Sequence, residues 1–181
     1  MTPLISQIRH EITTAGGWIG FDRFMELALY APGLGYYNGG NPEPFGSAGD
    51  FVTAPMLGPW LSHAISNWCR PLAEKQGLVV REFGAGLGDL AAGLLSSSEI
   101  IRYEVIELSA NLKAKQQKRT AGLSQIVWKQ SLEPDFSGLV LANEVLDAMP
   151  VKCFQWAGSD RVLEWGVGLS SETPPMQAQK D

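Results

Sequence analysis

Val79-Val80-Arg81-Glu82-Phe83-Gly84-Ala85-Gly86-Leu87-Gly88-Asp89-Leu90 decides the fold. A short apolar run ends in an acid, three glycines follow at alternate positions, and an apolar, helix-like sequence begins. The stretch reads as a buried strand, a tight turn and a helix start. Glycine lacks a Cβ, so such a turn can take positive φ and let a ligand come close to the backbone. A turn of this kind at the mouth of a parallel sheet is where nucleotide-like cofactors sit.

Working outward, strand and helix alternate from Leu78 on. Strand Leu78–Phe83 precedes helix Asp89–Ser97, and strand Tyr103–Ile106 precedes helix Ala110–Thr120. Short strands follow at Gln125–Trp128 and Leu139–Ala142. This alternation predicts a parallel sheet with helices on its faces. Upstream lies a mostly helical layer. It holds a first helix from about Pro3 to Ala15 capped by Thr2, a second from Asp22 to Leu29 ended by Pro32, and a third marked by Trp60, Leu61, Ala64, Ile65 and Trp68, kinked or ended near Pro71. Trp60 and Trp68 fit the buried face of that third helix. Downstream, Val151–Trp156 and Arg161–Val167 read as a hairpin, and the polar stretch 170–181 reads as a disordered tail. The expected organisation is 1–77 as an N-terminal helical cap, 78–169 as a Rossmann-like core with a terminal hairpin, and 170–181 as a tail.

The chain has 181 residues, enough for one domain with a sizeable core. A formal net charge of −5 argues against broad, phosphate-driven nucleic-acid binding. Cys69 and Cys153 form no spaced metal motif and suggest no disulfide scaffold, so no metal is expected and a reducing compartment fits. No apolar run is long enough to cross a bilayer, and the N-terminus lacks the pattern of a secretory or transit signal. The expected location is the cytoplasm.

Several acids and amides sit where strands end. Glu82, inside the end of the first sheet strand, requires a charged or N–H-rich partner, which a ligand ammonium or the turn's own amides would supply. Glu107, one crossover on, is placed either to accept from ribose hydroxyls or to cap the helix that starts near Ser109. At the end of the fourth strand, Asn143, Glu144 and Asp147 either project into the ligand crevice or cap a first helical turn. These features suit both a nicotinamide cofactor and S-adenosylmethionine. Two details favour the second. Its ammonium and carboxylate suit Glu82 and glycine amides, and Asp89, directly after the third glycine, would oppose a pyrophosphate.

Four blocks together resemble the MidA-type methyltransferases, the family of the mitochondrial complex I assembly factor that methylates arginine. They are Met25-Glu26-Leu27-Ala28-Leu29-Tyr30-Ala31-Pro32 with Gly35-Tyr36-Tyr37; Gly49-Asp50-Phe51-Val52-Thr53-Ala54-Pro55; Glu82-Phe83-Gly84-Ala85-Gly86-Leu87-Gly88; and Leu141 to Val151. The resemblance implies a class I methyltransferase sheet, S-adenosylmethionine as donor and a protein arginine as acceptor, on a respiratory complex I subunit or its equivalent. It implies that Gly84, Gly86 and Gly88 bind the donor and that Glu107 holds its ribose. The chain departs from the family at Met56, where a Glu is usual, and after Trp128, where Lys129-Gln130-Ser131 replace an acid. The Gln130 amide or the backbone is then expected at the adenine in place of a carboxylate. Family members also run longer, so the chain resembles an N-terminal portion whose sheet keeps an open edge.

An arginine acceptor is protonated at neutral pH, so carboxylates near the methyl are expected to orient it and favour loss of its proton. Glu144 and Asp147 are the expected pair, with Asp50 a third. Two other classes remain open at this stage: a nucleotide-dependent oxidoreductase using the same turn, and a methyltransferase-like module that binds a partner without catalysis.

Overall fold

The computed structural model describes residues 1–41, 43–97, 99–158, 160–170 and 178–180. The chain groups into two compact units, one formed by 1–41 with 148–181 and the other by 42–147.

The unit 42–147 holds the parallel sheet. Helix α3 (Trp60–Gln76) is followed by β2 (Leu78–Phe83), α4 (Asp89–Ser97), β3 (Ile100–Ile106), α5 (Ala110–Arg119), β4 (Ile126–Lys129) and β5 (Leu139–Leu141). The strand order is β4-β3-β2-β5, and every pairing is parallel. After β2 the chain builds outward through β3 and β4, then returns to place β5 on the other side of β2. The order therefore reverses between β2 and β5, and a crevice opens at their carboxyl ends. Val80 and Tyr103 face each other in register and are fully buried, with Val105, Leu90, Ala91 and Leu94 completing the core.

Register also explains a buried ion pair on the opposite face of the sheet. Arg81 and Glu104 are partners, and the Arg81 guanidinium donates from both Nε (2.8 Å) and Nη2 (2.7 Å) to one Glu104 oxygen. Arg102 holds the other oxygen at 2.7 Å, Glu133 adds a contact to Arg81 at 3.0 Å, and the Phe136 ring stacks 4.1 Å from the guanidinium. Removing one partner of such a pair costs more than the pair contributes, because the other charge stays buried. Arg81→Met is expected to destabilise the protein by about 3 kcal/mol, and Arg81→Met with Glu104→Leu to recover most of that loss. Denaturant melts of the single and double variants check it.

Of the two outcomes open at Pro71, helix α3 does not end there, and it differs from the expectation in the face it buries. It continues through Pro71 to Gln76, where Gly77 (φ 74°) caps it with its N–H on the Ala73 carbonyl. Proline at that position forfeits one intrahelical bond without ending the helix. Trp60 and Trp68 are not buried: they are 77% and 71% exposed. Buried along it are Ser62, Ser66, Cys69 and Ala73, while Leu61 and Ile65 of the expected face are half-buried against the core. A Cβ on Gly93 of α4 would come 2.6 Å from the Ser62 hydroxyl, so the two helices approach on small residues, which leaves the bulky tryptophans outside.

The other unit contains α1 (Pro3–Thr14), β1 (Trp18–Gly20), α2 (Phe21–Tyr30), β6 (Cys153–Trp156), β7 (Val162–Gly168) and β8 (Ala178–Lys180). Thr2 caps α1 by accepting from the Ile5 N–H at 3.3 Å, as its sequence predicts. Gly20, not Asp22, is the cap of α2. The expected hairpin forms as β6 and β7, and β7 pairs antiparallel with β1 on its other side. Of the expected tail, residues 171–177 and 181 lie outside the described residues, while β8 pairs antiparallel with β7. Among the described residues no helix is long and apolar enough to cross a membrane.

Candidate donor-binding site

The crevice between β2 and β5 is lined by Glu82, Gly84 and Gly86 from the first strand and its turn, and by Asn143 and Glu144 from the end of β5. Thr53, Pro55 and Met56 of the preceding loop close it. Pro55, Met56, Asp89 and Leu90 also border a neighbouring hollow of about 460 Å³.

The three glycines do different things. All take positive φ (60°, 53° and 88°), which side chains rarely adopt. The Gly84 N–H donates to the Ile106 carbonyl of β3 at 3.0 Å and the Gly88 N–H to that of Ala85 at 2.8 Å, so the first amide is spent on the sheet and the second on the bend. A Cβ on Gly84 would strike Val145 at 2.5 Å, whereas one on Gly86 would meet nothing within 4 Å. Gly86 is thus the position where a ligand can approach the backbone.

Glu82 is buried, at 2% exposure, and one of its oxygens accepts from the Tyr103 hydroxyl at 2.8 Å. Burial pushes its carboxyl up to about 7, the Tyr103 hydrogen bond opposes that rise, and the Glu107 charge adds to it. Burial and the Glu82 charge push the Tyr103 phenol up as well. A carboxylate desolvated in this way favours a cation at the crevice. Glu107, at the end of β3, accepts from the Ser109 N–H on one oxygen and from the Gln116 amide on the other, both at 2.8 Å, and burial raises its carboxyl too. Ser109 itself caps α5 by accepting from the Leu112 N–H at 3.2 Å. The cap of α5 is thus Ser109, with Glu107 holding the Ser109 N–H beside it.

The crevice brings together Glu82, Gly84, Gly86, Asn143 and Glu144. Asp50, Asp147 and Gln130 are solvent-exposed and do not line it, and Gly88 and Glu107 are not among its lining residues. Asp89 ion-pairs with Arg119 at 2.8 Å, which offsets the negative charge expected to repel a phosphate. Glu144 has φ 50° and is, among the described residues, the non-glycine residue with positive φ. Strain of that kind costs about 1–3 kcal/mol and concentrates at functional positions. Sequence reasoning missed Tyr103 and Gln116. Tyr103 sits inside an apolar strand and Gln116 among the lysines and glutamines of a polar helix, and nothing in their spacing singled them out.

A bent glycine turn at the reversal point of a parallel sheet, with a buried acid before it and another after the next strand, defines a nucleoside-binding α/β site. A family model for S-adenosyl-L-methionine-dependent methyltransferases matches residues 56–181, and the chain belongs to that family, whose methyl donor is S-adenosylmethionine. This decides against the nicotinamide alternative. The chain is similar to a protein from Burkholderia thailandensis crystallised with S-adenosyl-homocysteine (38% identity, TM-score 0.80, covering 98% of this chain and 49% of that one). A native crystal structure from the same organism gives 37% identity and a TM-score of 0.75, covering 98% of this chain and 47% of that one. The mitochondrial protein arginine methyltransferase NDUFAF7 homolog of Drosophila melanogaster is 29% identical over 84% of this chain and 42% of its own length. The Caenorhabditis elegans homolog is 25% identical over 86% and 43%. The chain thus spans about half the length of the relatives it matches.

Proposed function

We propose that this chain supplies the donor-binding part of an S-adenosylmethionine-dependent methyltransferase that acts on arginine in a protein, on a respiratory complex I subunit or its equivalent. The observation that carries the reading is the crevice itself, where a buried carboxylate, an open glycine backbone and a strained strand-end Glu share one lining. The residues present fit the donor. Glu82 offers its ammonium a desolvated anion, and Asn143 offers amide partners to the same amino-acid end. Gly84 and Gly86 shape the backbone against it; from outside the crevice lining, Gly88 completes the turn, Glu107 accepts from the ribose and the exposed Gln130 amide is assigned to the adenine.

S-adenosylmethionine supplies an electrophilic methyl on a sulfonium, whose departure as a neutral thioether requires neither a metal nor a protein nucleophile. The work left to the chain is positioning and electrostatics. Glu144 orients a guanidinium by paired hydrogen bonds and takes up its proton; Asp147 and Asp50 assist from outside the crevice lining. The acceptor is a protein, with no nucleic acid and no membrane insertion involved, in a reducing compartment such as the cytoplasm, in keeping with the free Cys69 and Cys153.

The test is incubation with methyl-labelled donor and separated respiratory complex I subunits, followed by mass spectrometry. Methylarginine formed together with an equal amount of S-adenosylhomocysteine is expected. Label found only on other residue types would overturn the arginine reading.

A further inference from the structure

Gln116 is fully buried on α5, yet its amide is met by groups from three other places in the fold. Its Nε2 donates to the Gly86 carbonyl at 3.0 Å and to Oε2 of Glu107 at 2.8 Å. Its Oε1 accepts from the Trp128 indole N–H at 2.9 Å. An indole nitrogen can only donate, so the amide oxygen must face Trp128 and the amide nitrogen must face the two acceptors. One side chain in one chemically fixed orientation therefore ties the glycine bend, the acid after β3 and strand β4 together. Gly88 brings the backbone close enough for this, since a Cβ there would sit 3.4 Å from the Gln116 Cα. On Glu107, the Ser109 N–H holds one oxygen and Gln116 the other, so the carboxylate plane cannot turn.

We infer that Gln116 is the positioning residue for donor recognition: without touching the donor, it sets the Glu107 carboxylate for the ribose hydroxyls and fixes that acid relative to the Gly86 backbone. The inference rests on the donor reading given above. It differs from a role in packing alone. A residue that only fills the core would weaken every ligand alike, whereas a residue acting through Glu107 weakens only ligands that carry the ribose hydroxyls.

The experiment is calorimetry of the 181-residue chain, Gln116→Met and Gln116→Glu with S-adenosylhomocysteine and with its 2′,3′-dideoxyribose analogue, with melting curves alongside. The unaltered chain should prefer the hydroxylated ligand by roughly tenfold or more. Gln116→Met should lose roughly tenfold in affinity for S-adenosylhomocysteine, hold the analogue within about twofold, and so lose the preference. Gln116→Glu keeps the side-chain length and the acceptor for Trp128 but puts a carboxylate against Glu107, and it should lose the preference too. If Gln116→Met does not fold, the ratio in Gln116→Glu decides. A preserved preference in a folded variant, or an equal loss for both ligands, would overturn the inference and leave the donor reading standing. An unaltered chain that binds neither ligand would remove both.

Discussion

Replacing Glu82 by Gln is expected to stabilise the ligand-free protein at pH 8 by about 3 kcal/mol and to weaken donor binding by roughly a hundredfold. The stability gain follows from the direction of the shift. The Glu82 carboxyl is raised from 4.5 to about 7 in the fold, chiefly by burial. Between those values the native state holds a proton that the unfolded chain has released, so stability falls as pH rises through that window and stays low above it. Gln has no charge to desolvate and still offers an acceptor to the Tyr103 hydroxyl. The binding loss follows from the same carboxylate. An ammonium beside Glu82 favours its ionised form, so donor affinity should rise as pH climbs through about 7 in the unaltered protein and be flat in the variant. Melts and calorimetry across pH 5–9 check both halves. A variant that binds as tightly as the parent at pH 8 would remove Glu82 from the site.

Glu144→Gln is expected to lower methyl transfer by about a hundredfold or more while donor affinity stays within about twofold. The residue lies just past β5, lines the crevice beside Asn143, and holds a left-handed backbone at φ 50°. Gln has the same size and tolerates the same backbone, so the substitution removes the charge and the proton acceptor alone. Glu144→Gly would release the strain and raise stability by about 1 kcal/mol. Single-turnover assays, read beside S-adenosylhomocysteine titrations, separate the two effects. Unchanged turnover in Glu144→Gln would take this residue out of the chemistry.

The parallel sheet was legible because its signal is local. Leu78–Phe83 and Asp89–Ser97 form with the bounds their sequence predicts, and β3, β4 and β5 fall within a few residues of theirs. Glu82, Gly84, Gly86, Asn143 and Glu144 of the crevice lining follow directly from strand ends, whereas Thr53, Pro55 and Met56 reach it from a loop. What could not be read was non-local. Trp18–Gly20 is three residues long and becomes a strand only because β7 pairs with it. The inward face of α3 is set by close approach to Gly93, and apolar periodicity pointed at the tryptophans instead. Tyr103 and Gln116 gain their roles from partners more than eight positions away, Glu82 for the first and Gly86, Glu107 and Trp128 for the second. The glycine amides were expected to be open, but that of Gly84 is already bonded to β3 and that of Gly88 to the turn.

A crystal of the chain soaked with S-adenosylhomocysteine tests the central claim most directly. The account predicts density in the crevice between β2 and β5, with the amino-acid end against Glu82, the backbone of Gly86 in contact and the ribose at Glu107. A well-occupied ligand seated elsewhere, with the bend packed against protein, would contradict it.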